Sequence, residues 1–175
     1  SHNDEALSET TDPDFSFYYI DIGNVDQNGI ILNKEQLTFE TAPSRARRKV
    51  KHGDVIVSTV RTYLRAIAPI IYPDPDLIVS TGFAVIRPKE KLNHGFASYA
   101  LRAPYFIDAI VSRSVGVSYP AINASELVAI PIALPPDNEQ ERISEFLNHE
   151  TKNANALINK INQSIDLLRE YRTAL

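Results

Sequence analysis

The sequence predicts an α+β protein, a β-rich domain carrying short helices and followed by one long C-terminal coiled-coil helix. Three observations predict it. Short apolar runs punctuated by Gly and Pro fill the first half of the 175 residues. The period lengthens toward helix after Gly95. In the last forty residues or so, Ala154, Ile158, Ile161, Ile165 and Leu168 recur at alternating four- and three-residue steps, the spacing of a coiled-coil seam. Three segments follow: a poorly ordered tail over 1–16, a domain over 17–136 and a helix over 137–175.

Tyr18, Ile20 and Ile22 alternate as in a half-buried strand that ends in the turn at Gly23-Asn24. A second turn at Asp26 to Gly29 precedes Ile30 to Leu32. Val55-Ile56-Val57, opened by Gly53-Asp54, suits a strand buried on both faces. Ala66 to Ile71 and Phe83 to Ile86 are further strands. Phe96, Tyr99, Ala100, Phe106, Ile107 and Ile110 suit two short helices broken at Ala103-Pro104. Asn123 or Ser125 caps a helical turn, and Val128 to Leu134 reads as a last strand stopped by Pro135-Pro136. Asp137 or Asn138 then caps the long helix, with Glu139 and Glu141 in its first turn.

About 38 residues at 1.5 Å each give a helix roughly 57 Å long, too long to pack wholly on a domain of this size. Burying Leu157 with the five seam residues is worth on the order of 10 kcal/mol gross. The stripe therefore requires a partner helix, from this chain or from another copy.

Composition narrows the function classes. No cysteine is present, so disulfides and thiolate metal sites are excluded, and a reducing cytoplasm is the expected compartment. No apolar run approaches the roughly 20 residues of a membrane span. Met is absent even at position 1, so Ser1-His2 reads as a cleavage scar. His2, His52, His94 and His149 show no metal-ligand spacing, and no glycine-rich nucleotide loop occurs. Leu134-Pro135-Pro136-Asp137 lacks the amide and the aromatic that an adenine methyltransferase loop needs. Asp74 and Asp76 read as a solvated pair in a Pro-rich turn. No catalytic constellation, cofactor site or metal site is predicted.

Charge is unevenly spread. The net charge is −4, yet Arg45, Arg47, Arg48, Lys49, Lys51, Arg61 and Arg65 fall within 21 residues that hold one acid, Asp54. Residues 1 to 44 hold one Lys and nine acids. A local block of cations suits an anionic partner gripped at one place; the competing reading is a solvated patch. Thr59, Arg61, Thr62, Tyr63 and Arg65 follow a predicted buried strand in a loop dense in hydroxyls and guanidinium groups. Such side chains bond base edges and phosphates of DNA, whereas Arg45, Arg47, Arg48, Lys49 and Lys51 suit phosphates. Against this, Arg61 and Arg65 can pair with the acidic first segment. Gly116 to Asn123 forms a stiff loop in which Ser118 and Tyr119 touch DNA, or Tyr119 and Ile122 latch the core.

The residues also carry a resemblance. Tyr19-Ile20-Asp21-Ile22-Gly23-Asn24-Val25, then Gly53 through Arg61, then Ser80-Thr81-Gly82-Phe83 are similar to target-recognition domains of type I restriction-modification specificity subunits. The match continues through Gly116 to Asn123, Ile130 to Pro136, Glu139-Gln140 and Ile143, and ends in Leu167 to Arg172. It covers nearly everything after about Phe17 in the family's order. The resemblance implies a non-catalytic, sequence-specific subunit that reads one half of a bipartite site in double-stranded DNA. It implies modification subunits that methylate adenine, motor-nuclease subunits that cleave, and an antiparallel pairing of long helices. With one recognition domain and one helix, the chain is a half-length specificity protein or part of a larger one. Homodimerisation through Ala154, Leu157, Ile158, Ile161, Ile165 and Leu168 then imitates the two-domain subunit. A coiled-coil assembly adaptor that does not read DNA, and a free-standing DNA-modifying enzyme, are the alternatives.

Overall fold

The computed structural model describes residues 1–174. Its domain is built in four layers around two sheets. The first sheet has the order β2-β1-β6-β3, from β1 (Ser16–Ile20), β2 (Glu35–Thr38), β3 (Ala46–Lys49) and β6 (Leu77–Ser80). β1 and β6 run parallel, and the outer pairs are antiparallel. The second sheet is antiparallel in the order β5-β4-β7, from β4 (Val55–Ser58), β5 (Ile67–Pro69) and β7 (Phe83–Ile86).

The alternation of side chains along each strand assigns the core. Ile20, Ile56, Ala68, Leu77, Val79, Phe83 and Val85 pack between the sheets. Val55, Val57, Ile67 and Ala84 face the other way, against Ala97, Leu101, Phe106, Ile110, Ile122 and Leu127. These come largely from α1 (His94–Ala100), α2 (Pro104–Arg113) and α3 (Ala124–Val128). Hence β4, predicted as doubly buried, is buried along its whole length. β1 is covered on both faces rather than one: Phe17 and Tyr19 meet Leu7, Ala46 and Ile78 on its outer side.

Leu7 belongs to the first sixteen residues, and the structure packs this segment where the sequence predicts a poorly ordered tail. Leu7 N–H donates to Arg47 O at 2.7 Å, Lys49 N–H to Glu5 O at 3.1 Å and Asn3 N–H to Val85 O at 2.9 Å. The segment thus satisfies edge strands of both sheets, β3 and β7, which would otherwise present unpaired backbone.

Other differences are local. Strands β2, β3 and β6 were hidden by charge and by the Pro-rich turn before Leu77, while Ile30 to Leu32 forms no strand apart from one bridge at Ile31. Val128 to Leu134 is not a strand either. Val128 closes α3, and Pro131 removes a donor, so Ile130 and Ile132 pack by their side chains without a ladder. The helices stand as predicted, with Asn93 capping α1, Pro104 opening α2 and Glu126 accepting from Asn123 N–H before α3.

The long helix α4 (Asp137–Ala174) has 38 residues. Its first bonds run to the Pro136 carbonyl, so Pro136, rather than Asp137 or Asn138, occupies the cap position. Gln140 fixes it to the domain: fully buried, it accepts from Asn93 N–H at 2.9 Å and donates to Lys91 O and Pro135 O at 2.9 and 2.8 Å. Gly95 allows α1 to approach, since a Cβ there would meet Ser144 at 3.2 Å. Tyr99 donates to Asn148 at 2.7 Å. Beyond Asn148 every residue to Thr173 is exposed, including Leu157, Ile158, Ile161, Ile165 and Leu168. The helix therefore projects as a bare shaft. Residue 175, the last of the predicted helix, lies outside the described residues. No helix among the described residues is long and apolar enough to cross a membrane.

Candidate nucleic-acid interface

Strand β4 ends at Ser58, and the chain leaves the sheet there in a loop pinned by its own backbone. Thr59 N–H and its hydroxyl both donate to Gly82 O, at 2.8 and 2.9 Å. Arg61 and Arg65 then flank a single turn of 3-10 helix, Thr62–Leu64, both in the left-handed region at φ +50 and +54. Such backbone is uncommon for residues with a Cβ and clusters at binding sites. The Gly116 to Asn123 loop folds onto the same place. Ile122 N–H donates to Thr59 O at 2.9 Å, Ala121 bridges Val60, and the Arg61 guanidinium lies over the Tyr119 ring, 4.9 Å from its centroid.

Between these loops opens a cleft of about 630 Å³ lined by Asp21, Ile22, Gly23, Arg45, Thr59, Val60, Arg61, Ser80, Thr81, Gly82 and Tyr119. Asp21 caps the turn Ile22–Asn24 and holds Arg45 through two bonds, 2.6 and 3.2 Å long. Burial acts to raise its carboxyl, but the Arg45 guanidinium and the Ile22 N–H outweigh that and hold it below the ordinary 3.8. Nearby Tyr19 is buried, its hydroxyl has no hydrogen-bond partner among the described residues, and burial pushes that group up.

The predicted site residues divide. Thr59, Arg61 and Tyr119 line the cleft, joined by Arg45 from the block assigned to phosphates. Arg65, Tyr63 and Ser118 are exposed on the same two loops. Thr62 is a correction: it is buried and bonded to Ser114 at 2.8 Å, so it supports the turn instead of facing a ligand. The reading of Tyr119 and Ile122 as a joint latch separates as well, since Ile122 is core and Tyr119 is exposed.

The block from Arg45 to Lys51 is not one patch, because it runs along an edge strand with a bulge between Ala46 and Arg48 that sends its side chains to different surroundings. Arg47 lies over the Phe39 ring at 4.5 Å and 3.7 Å from Glu9. Arg48 is half-buried, its basicity lowered by burial, whereas Lys49 is exposed. Lys51 pairs with Glu5, which also accepts from Arg87 at 2.7 Å. The acidic first segment does capture cations, but they are Arg45, Arg47, Lys51 and Arg87. Arg61 and Arg65 form no ion pair among the described residues.

Asp21, Ser80, Thr81 and Gly82 were not predicted as site residues. A signal for them existed: they sit in the segments that carry the family resemblance, and those segments meet only in three dimensions. No group of three or more His, Asp or Glu fit to hold a metal ion occurs among the described residues.

The family model for the type I restriction modification DNA specificity domain matches residues 19–167. The HsdS subunit from Thermoanaerobacter tengcongensis is 33% identical, with a TM-score of 0.75 over 94% of this chain and 44% of that one. A second solved structure, described as showing complex assembly and conformational transition of the type I R-M system, is 32% identical with the same TM-score and coverage. The chain thus spans less than half the length of these relatives. No curated protein shows significant similarity to it.

Proposed function

The chain belongs to the type I restriction-modification DNA specificity family, and from that premise we propose that its domain reads one half of a bipartite site in double-stranded DNA. Methylation and cleavage fall to partner subunits in the cytoplasm, and this chain supplies recognition without chemistry of its own. The observation that carries the reading is the convergence of four sequence-distant segments, around Asp21, Thr59, Thr81 and Tyr119, on one cleft lined by Arg61, which has no carboxylate partner among the described residues, while Arg45 on the same cleft is held by Asp21. Unpaired guanidinium groups bond phosphate oxygens or guanine O6 and N7 without first breaking an internal ion pair.

The helix supplies spacing. Residues 137–150 hold five acids against one arginine, whereas 152–172 hold four bases against two acids. Two copies packed antiparallel through the Leu157, Ile161, Ile165 and Leu168 seam set residues 152–172 of one helix against the same span of the other, and each acidic root stays beside its own domain, outside the seam. Homodimerisation through α4 then holds two reading domains apart at opposite ends, leaving its outer face for modification subunits.

The test is binding to DNA carrying the site mapped from adenine methylation in cells with the complete system. The expected result is affinity for the mapped site at least a hundredfold above scrambled DNA, falling steeply between 50 and 200 mM salt. Equal, salt-insensitive binding to both sequences, with modification subunits present, favours the assembly adaptor. Ile161→Asp is expected to convert a dimer to a monomer in light scattering with the domain still folded.

A further inference from the structure

The loop beside Arg61 is more than a perch for Tyr119. Val115 and Ala121 exchange two backbone hydrogen bonds of 2.8 and 3.0 Å, which close 116–120 into a hairpin tip. Gly116, at φ +118, makes the bend; a Cβ there would lie 3.1 Å from Tyr119 O. The base is fastened to Thr59 by Ile122 N–H, and the Ile122 side chain is core. The tip is thus a rigid prong.

Its end is apolar. Val117 is fully exposed and Val115 is 80% exposed, and no charged residue occurs between Ser114 and Ala121. Exposed single aliphatics are ordinary, but this pair stands on a braced prong adjoining the Thr59–Arg65 loop. The β-branched valine is stiff about χ1, so little side-chain freedom is lost when it meets a surface. On DNA, the apolar feature of a base edge is the C5 methyl of thymine in the major groove.

We propose that Val117 reads a T·A pair by packing against the thymine methyl, so that one position of the half-site is specified by apolar contact while Arg61 and its neighbours supply the polar contacts. This rests on the DNA-reading function above, and names the chemistry at one of its contacts.

The test is a double-mutant cycle on the chain assembled with its modification subunits. Each thymine of the mapped half-site is replaced in turn by deoxyuridine, which deletes only the methyl, and binding is measured for the native chain and for Val117→Ala. At one position the native chain is expected to lose about four-fold, the worth of one buried methyl group. Val117→Ala is expected to bind the thymine site more weakly and to lose nothing further on deoxyuridine. Thermal unfolding of the variant stays at the native midpoint, since nothing packs on an exposed tip.

Full sequence preference with the same uracil response in both proteins overturns the role of Val117 while leaving DNA reading intact. A Val117-dependent rise in 2-aminopurine fluorescence with no uracil response replaces methyl contact by a wedge between base pairs. Absence of any sequence preference in either protein overturns the DNA-reading function itself.

Discussion

The two ends of β4 carry similar cations to different ends. Before Val55, Asp54 is buried and bonds Arg87 bidentately at 2.8 and 2.8 Å; Arg87 reaches on to Glu5, and Glu5 to Lys51. The charges on that side are spent on one another. After Ser58, Arg61 rests on Tyr119 and Arg65 stands in solvent, neither paired with a carboxylate among the described residues. A single strand thus separates a closed ionic clasp from an open basic loop. Cations that a charge count groups together hold the fold at one end and remain free for an anionic partner at the other.

The strongest way to break this contrast is at the clasp. Asp54→Ala leaves the partly buried Arg87 guanidinium without its bidentate partner and is expected to destabilise the domain by about 3 kcal/mol, read from the urea midpoint. The DNA affinity of the protein that remains folded should be unchanged. A loss of affinity at native stability would show that the two ends are coupled.

At the open end the expectation reverses. Arg61→Ala should leave the unfolding midpoint where it is and cost roughly 1 to 3 kcal/mol on the cognate half-site, with relaxed preference at one base pair. A uniform loss on every sequence would assign Arg61 to phosphate.

Asp21 sits between these extremes, its carboxyl held below 3.8 while Arg45 is bound. Its lowered value in the fold means that the stabilisation is complete above the unfolded value and is lost as pH falls through the folded one. Stability should therefore fall on acidification below about pH 4, and Asp21→Asn should flatten that portion of the profile. The smallest effect belongs to Lys51→Ala: its pair with Glu5 is solvent-exposed and screened, so the urea midpoint should barely move and the salt dependence of DNA binding should be unaltered. A reduced salt slope would return Lys51 to the phosphate contacts.

Where the pattern was periodic the sequence was legible. Val55 to Val57 read as doubly buried because both neighbouring layers are apolar, and the break at Ala103-Pro104 followed from proline's missing donor. Strand β3 was illegible because Ala46-Arg47-Arg48-Lys49 is an edge strand whose long stems are shared between solvent, Phe39 and the first segment. That first segment was itself illegible, since its order comes from backbone bonds to β3 and β7, which no composition reports. For the cleft, the separate loops were visible while their meeting was not.

The sequence by itself determined the long helix and its unpartnered seam, the strand that exits into Thr59 to Arg65, and the order of family-like segments, because each is written in local spacing. The tertiary structure decided which cations are free. Ion pairing depends on which carboxylate lies within about 4 Å, and residues as far apart as Glu5 and Arg87, or Arg61 and Tyr119, are neighbours only after two sheets have packed.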